Sequence, residues 1–520
     1  MTRRRGSRTT VEARGSVRRT RWWACGALAT IAALGLIVFA ISENRQSSVV
    51  PPAATVEIPE DTGSPAHVAA GDSIALHAPL AGTVDTTMAQ VAREAKGGRV
   101  TPPASKLDPF YEALFKLRSA GTSEPVTILH LGDSHIAADR ITGEVRALLQ
   151  ARFGDAGRGL MMPGFPFPYY KVRGVDFEKA GKWTAANSLN EDGVYGITGV
   201  SLTGSDADAV LKLTSTSGPF ISPQVWLLAG PGGGHAVVRA AGKSEEVATA
   251  ADARAVLRVS LPVKATSLSV EVKGDGPVTV LGLSVDSGRP GVRYVNLGIP
   301  SASALTTRRF DRALAASDIA TLAPKLVVLS YGTNEGFIDT LDLAAYEKEY
   351  VRLVELVKAA APDAALLILG PLDGTRLPRF VTGDARVTAP CRPLSVDEQA
   401  DYGELLERQD KSLARWHEPP KLEAVRSLFG RIAERYHATY WDLSAFMGGS
   451  CSIDRWAKAE PPLAFPDHVH LSDEGSKRVG QAIYENLIKG YERFRQQASA
   501  GGSLAASDAD DGARERVRGP

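Results

Sequence analysis

Two hydrophobic rhythms divide most of the chain. Largely apolar segments at Val126 to Leu131, Tyr294 to Leu297, Leu326 to Ser330, Ala365 to Leu369 and Thr439 to Leu443 read as strands of a parallel sheet. Between them apolar residues fall at helical spacing. Tyr346, Tyr350, Leu353, Val354 and Val357 share one face of a helix predicted over 343–360, which Ala360-Ala-Pro-Asp363 ends. Further helices are predicted from about Asp139 to Phe153 and from Leu422 to Tyr436. Strand alternating with helix implies a parallel sheet, and such sheets place chemistry at the carboxyl ends of their strands. Residues 171–290 instead follow a period of two. Ala209 to Thr214, Gln224 to Leu228, His235 to Arg239, Ala255 to Leu261, Ser267 to Val272 and Val278 to Val285 are short strands separated by Gly, Ser, Asp and Pro. This segment reads as a β-sandwich.

A third pattern stands at the amino end. Residues 1–21 hold eight Arg against one Glu, and Trp22 to Ile41 then run twenty residues without a charge. At helical rise that length crosses a hydrocarbon core of roughly 30 Å, with the arginines held on the cytoplasmic side. A cleaved signal peptide is the competing reading, but Ile41-Ser-Glu-Asn-Arg-Gln lacks a small-x-small site and the apolar run exceeds the usual core of a signal peptide. Cys25 has no lipobox around it. Residues 42–105, rich in Pro, Ala, Thr and Gly, read as a stalk, and 496–520 as a disordered tail. The net charge of +1 gives no case for a nucleic-acid partner. With 520 residues, 44% of them hydrophobic, the chain can bury more than one core.

The candidate chemistry begins in Ile128-Leu-His-Leu-Gly-Asp-Ser-His135, where a buried strand delivers Ser134 into a turn. A serine hydroxyl is a poor nucleophile alone and requires an imidazole base, a carboxylate to orient it and donors for an oxyanion. Phe465-Pro-Asp-His-Val-His-Leu-Ser-Asp-Glu-Gly475 supplies Asp467 and His470, three residues apart on one loop. Gly298 follows the strand in Val292 to Gly298, and Asn334 follows the strand in Leu326 to Ser330. The Ser134 and Gly298 N–H groups and the Asn334 amide are thus the candidate oxyanion donors. Each residue also has a plainer reading: Ser134 as a helix cap, Asn334 as a turn residue, Gly298 as a close-packing glycine and His470 as a surface histidine, with His468 a rival base. His130 reads as core and His135 as a residue lining the cleft.

Taken in order, these blocks resemble the SGNH (GDSL-type) hydrolase superfamily, whose four name residues match Ser134, Gly298, Asn334 and His470. The family's Gly-x-Asn is matched by Gly332-Thr-Asn334 and its Asp-x-x-His by Asp467-His-Val-His470. A second Gly-Asp-Ser at Gly71-Asp-Ser73 follows no strand and is set aside. The long gap from Ser134 to Gly298, with Met447-Gly-Gly-Ser-Cys-Ser-Ile-Asp-Arg-Trp456, is similar to the branch that includes bacterial peptidoglycan O-acetylesterases. The resemblance implies a three-layer αβα, flavodoxin-like fold with an all-β sandwich inserted between the first two blocks, preceded here by one transmembrane helix. It implies acyl transfer through Ser134, His470 and Asp467 without metal or cofactor, acting on an acetylated cell-envelope polysaccharide. A similar O-acetyltransferase using the same triad is one alternative, and a non-enzymatic, anchored glycan-binding protein is another.

The expected organisation is a basic cytoplasmic tail (1–21), an inner-membrane anchor (22–41), a stalk (42–105), a catalytic domain in two parts (106–170 and 291–495) around a sandwich (171–290), and a tail (496–520), with the catalytic domain in a bacterial periplasm. In that compartment Cys391 and Cys451 are expected to bond, tying an irregular excursion to the loop before Asp467. Aromatics suited to sugar stacking are sparse in the insert, and Trp226 within Val225-Trp-Leu-Leu228 reads as core. Phe165-Pro-Phe-Pro-Tyr-Tyr170 reads as packing between domains, with a share in a substrate groove as the alternative. Pro231-Gly-Gly-Gly-His235 reads as a hairpin turn.

Overall fold

In the computed structural model, residues 105–119, 123–383 and 388–515 are described, with side chains described through residue 499. The expected basic tail and membrane anchor, and the stalk up to residue 104, lie outside the described residues; so does Ser73. Among the described residues no helix is long and apolar enough to cross a membrane.

Among the described residues, seventeen strands form two sheets. The first and last parts of the chain supply β1 (Val126–Gly132), β2 (Asp155–Met161), β14 (Val292–Gly298), β15 (Leu326–Ser330), β16 (Ala365–Leu369) and β17 (Thr439–Trp441). These lie in the order β2-β14-β1-β15-β16-β17 and are all parallel to their neighbours. The pleat sorts their side chains into two layers. Ile128, Tyr294, Val328 and Leu367 pack with the helices Asp108–Ser119, Ile141–Phe153 and Asp473–Glu515. Leu129, Val295, Val327 and Leu366 face the other way, against Tyr350, Leu353, Val354 and Phe429 of the helices Leu343–Ala360 and Leu422–Arg435. Burial on both faces explains why β1, β15 and β16 are mostly apolar along their length.

The middle of the chain adds β3 (Val175–Ala180), β4 (Trp183–Asn187), β5 (Val200–Gly204), β6 (Val210–Ser215), β7 (Phe220–Ala229) and β8 (His235–Ala240). It continues with β9 (Lys243–Ala248), β10 (Ala255–Ser260), β11 (Lys264–Ala265), β12 (Ser267–Val272) and β13 (Val278–Asp286). β3-β6-β12-β8-β9 make a separate antiparallel sheet. β13, β7 and β10 instead extend the parallel sheet beyond β2, so one sheet of the insert is continuous with the sheet that carries Ser134. Leu211 and Val270 of the separate sheet share a core with Val225, Val280, Leu129 and Val295.

The splice is β2, which the sequence presents as a glycine-rich loop. Glycine disfavours strands where side chains must pack, but here it allows close approach. Register shifts flank β2 on both sides, and a Cβ on Gly157, at φ 107°, would lie 2.6 Å from Asp286 Cα. Three other expectations need correction. Pro231 to His235 passes from β7 to β8, strands of different sheets, and is no hairpin. The strand expected to reach Leu443 stops at Trp441, because Asp442 accepts from Ala445 N–H and starts the helix Leu443–Met447. The helix Asp473–Glu515 continues through most of the expected disordered tail; Ala498, Ala500, Ala505 and Ala506 are strong helix formers extending a helix already nucleated.

Candidate active site

β1 ends at Gly132, and the turn that follows opens a four-residue helix, Ser134–Ala137. Its cap is Asp133, whose Oδ1 accepts from His135 N–H at 3.0 Å. Ser134 is thereby free of the capping role that serine commonly fills. Its Oγ lies 3.1 Å from His470 Nε2, and His470 Nδ1 lies 2.8 Å from Asp467 Oδ2. The base loop is self-braced: Asp467 Oδ1 accepts from the N–H groups of Val469 and His470, and Phe465 N–H donates to His470 O. Partial burial would raise the Asp467 carboxyl, but hydrogen bonds from the His470 ring and the two N–H groups hold it at about 2. A carboxylate that stays ionised fixes the imidazole with Nε2 facing the serine.

His468 is placed away from this relay. It is buried, stacks on Trp416 at 3.7 Å and pairs its Nδ1 with Thr375 Oγ1 at 3.1 Å. His130 is core, held between Tyr294 Oη (2.8 Å) and Ser330 Oγ (2.7 Å). Trp226 is also core, with the Arg258 guanidinium 4.6 Å above its ring. Phe167 and Tyr170 are buried, whereas Tyr169 is 76% exposed. Cys391 and Cys451 are bonded, joining the excursion after β16 to the helix Ser452–Ala457.

The three candidate oxyanion donors fare differently. Ser134 N–H meets no acceptor among the described residues. Asn334 sits in the helix Thr333–Gly336, and its Nδ2 donates one hydrogen to Ala302 O at 2.7 Å, which leaves the second to aim elsewhere. Gly298 N–H donates to Asn296 Oδ1 at 3.1 Å, and a Cβ there would lie 2.3 Å from Ala137 N. Gly298 is a packing glycine under the nucleophile helix. The turn that follows it offers Ser301, exposed, at φ 62°, with an N–H that meets no acceptor among the described residues. Ser301 precedes the carbonyl that holds Asn334. The sequence signal for it is weak, because Ile299-Pro-Ser-Ala302 carries no glycine to mark a left-handed residue.

Two supports were not legible beforehand. Asn296 donates to Ile136 O at 2.9 Å and Thr142 Oγ1 at 2.8 Å while accepting from Gly298, so it binds β14 to the nucleophile helix. Glu335, fully buried, accepts from Ala304 N–H, Gly332 N–H and Tyr346 O–H, and so fixes both segments that flank Asn334. Burial pushes its carboxyl up to about 7 against the pull of those donors. A cavity of about 620 Å³ lies beside Val126, Lys325 and Ala365, at the end of the sheet where the strands begin and away from this chemistry.

Residues 279–478 match the GDSL-like Lipase/Acylhydrolase family. No curated protein matches the sequence. Among solved structures, a peptidoglycan O-acetylesterase is similar at 23% identity and TM-score 0.59, over 75% of this chain and 97% of that one. At that identity the likeness shows a shared fold. An acetyl xylan esterase is similar at 14% identity over 38% of this chain and 81% of its own, with TM-score 0.25. A family two carbohydrate esterase from Cellvibrio japonicus is similar at 11% identity over 61% and 98%, with TM-score 0.23. The last two are too distant to bear on this chain. Over residues 279–478 the chain is similar to the GDSL-like Lipase/Acylhydrolase family, and it shares its fold with a solved peptidoglycan O-acetylesterase.

Proposed function

We propose that this chain is a serine esterase that removes O-acetyl groups from a cell-envelope polysaccharide, peptidoglycan first among them, through an acyl-enzyme on Ser134. The observation that carries the reading is the unbroken relay Ser134 Oγ, His470 Nε2, His470 Nδ1, Asp467 Oδ2 at 3.1 and 2.8 Å. His470 takes the Ser134 proton as Oγ attacks the ester carbonyl. Negative charge collects on the carbonyl oxygen, and the Ser134 N–H, the free Asn334 amide hydrogen and the Ser301 N–H receive it. His470 returns the proton to the departing sugar hydroxyl. Water then enters by the same base, releasing acetate and restoring Ser134. The base and its carboxylate are about half exposed, which gives a polymer-borne ester access to them.

Polysaccharide is the preferred substrate because a structurally similar peptidoglycan O-acetylesterase shares the fold over 75% of this chain. With the expected anchor at 22–41 and stalk at 42–105, the enzyme would work on the outer side of a bacterial inner membrane. Detergent-solubilised full chain, with and without Ser134→Ala, is the test: acetate release from O-acetylated peptidoglycan is measured beside acetylated xylan and a chromogenic acetate. Serine-dependent release from peptidoglycan is expected. Serine-dependent turnover of the chromogenic ester alone would move the assignment toward an acetyltransferase or another glycan, and equal turnover by Ser134→Ala would end the reading.

A further inference from the structure

The residue after the nucleophile is where this chain departs from the Gly-Asp-Ser-Leu for which its family is named: it is His135. The side chain is 8% exposed and lies against the base, its ring centroid 5.4 Å from that of His470 with 29° between the planes. Its Nδ1 is 3.1 Å from Asp133 Oδ1, and its Nε2 is 3.0 Å from Val469 O. A peptide carbonyl can only accept, so Nε2 carries hydrogen. Asp133 Oδ1 already accepts His135 N–H, so it too serves as an acceptor. Both ring nitrogens are therefore donors, which only an imidazolium provides.

We propose that His135 is a positively charged positioning residue that clamps the loop carrying the general base onto the turn carrying the nucleophile. One end of the clamp is the capping carboxylate of the nucleophile helix. The other is the carbonyl of the residue immediately before His470. Among the described residues, the other bonds between this segment and the base loop run from Arg140 to Leu471 O and Asp473, beyond His470. The groups that face the ring are Asp133 on its own turn and Asp467 and His470 on the base loop, and Tyr331, just past β15, lines a small cavity with Asp133 and His135. Burial alone would favour the neutral ring, but the Asp133 charge and hydrogen bond, the Val469 carbonyl and Asp467 carry its pKa above the ordinary histidine value.

The sign of the pH effect follows. A raised folded-state pKa means that the clamp is complete below the ordinary histidine pKa and is released as pH rises through the elevated value. Loss of one donor lets the base loop drift from Ser134, and misplacement on the order of 1 Å can reduce turnover by as much as a hundredfold. The inference rests on Ser134 and His470 acting as the esterase pair, yet the state of the ring is readable without turnover.

The experiment uses the full chain with ¹⁵N-labelled histidine rings, compared with His135→Gln to identify the His135 signals. The expected spectrum has both His135 nitrogens protonated at pH 7, with a titration above that of an ordinary histidine. In parallel, His135→Gln is expected to lower kcat roughly tenfold to a hundredfold with KM for a small acetate ester within about twofold, and to lose the wild-type alkaline inflection. A neutral His135 ring at pH 7, or a His135→Gln pH profile identical to wild type, overturns the proposal. If His135→Gln does not fold, the unsubstituted chain decides alone: a histidine with two protonated nitrogens above pH 7 sustains the clamp, and the lack of any refutes it. A chain with no serine-dependent turnover would defeat the esterase reading and leave the ring spectrum as a separate result.

Discussion

Replacing Asp139 by Asn tests how the nucleophile turn is held. Asp139 is 0% exposed and sits at φ 51°, two residues past the nucleophile helix. Its oxygens accept from Thr142 Oγ1 at 2.8 Å, Arg146 Nη1 and Nη2 at 2.9 and 3.0 Å, and Arg158 Nη1 at 3.0 Å. Arg173 N–H at 3.0 Å and Asn296 Nδ2 at 3.3 Å complete the set. Burial would raise the carboxyl, but the two guanidiniums hold it well below the usual carboxylate range. Asparagine keeps the shape, presents one accepting oxygen where six donors converge, and leaves two guanidiniums, 9% and 10% exposed, without their counter-charge. Removing one partner of a buried ion pair costs about 3–5 kcal/mol, so urea unfolding of Asp139→Asn should shift its midpoint downward by on the order of 1 M. Because the folded pKa is depressed, this contribution is whole above the unfolded value of roughly 4 and shrinks as pH falls below it. The gap between wild type and Asp139→Asn should therefore narrow in acid. Glu178→Gln, which breaks an exposed pair with Lys212, is the control and should shift stability by about 1 kcal/mol or less. A loss under about 1 kcal/mol for Asp139→Asn at pH 7 would refute the reasoning.

Other substitutions probe the site directly. Asn334→Ala should lower kcat on a chromogenic acetate about a hundredfold or more, since a single oxyanion donor typically carries that much; a change below about fivefold would remove Asn334 from the oxyanion site. Gly298→Ala keeps the backbone N–H, so an oxyanion donor there would survive it, whereas the 2.3 Å approach to Ala137 N predicts destabilisation of about 1–3 kcal/mol and lowered activity by thermal melt and rate. Glu335→Gln sets an amide NH₂ against one of three donors and should cost about 1–3 kcal/mol, read by urea unfolding, with reduced kcat because Asn334 is its neighbour. Cys391→Ser opens a loop with a sequence separation of 60, for which chain entropy gives an upper figure of about 4 kcal/mol; the melting temperature of the oxidised wild type and of Cys391→Ser measures it.

The parts of the site that could be read in the sequence are those fixed by local chemistry. Ser134 stands in a turn after a strand buried along its whole length, and Asp467 and His470 lie on one short loop, so side-chain type and spacing put them forward, with the rival His468 set apart by the fold. The parts that could not be read depend on contacts between segments far apart in the chain. Gly298 follows its strand as an oxyanion glycine should, yet its N–H is taken by Asn296, two residues earlier, and Asn296 is turned there by Ile136 and Thr142, more than 150 positions away. His135 reads in the sequence as a cleft residue; only the fold brings Val469 O to its second nitrogen.

The same division governs the insert. Its alternating strands announce a sandwich, because period two is local, but the pairing that joins it to the catalytic sheet runs through β2, whose glycines hide the strand. That pairing has a consequence for the site. β2 hydrogen-bonds β14 on one side and β13 on the other, and β14 carries Asn296 and the turn to Ser301. From the segment between β2 and β3, Lys171 N–H donates to Ala137 O and Arg173 N–H to Asp139, within the turn that follows Ser134. The insert therefore begins and ends on the nucleophile turn and the strand beside it. The antiparallel half is thus tied to the segment that carries Ser134 by the Lys171 and Arg173 N–H groups and by the pairing of β2 with β14.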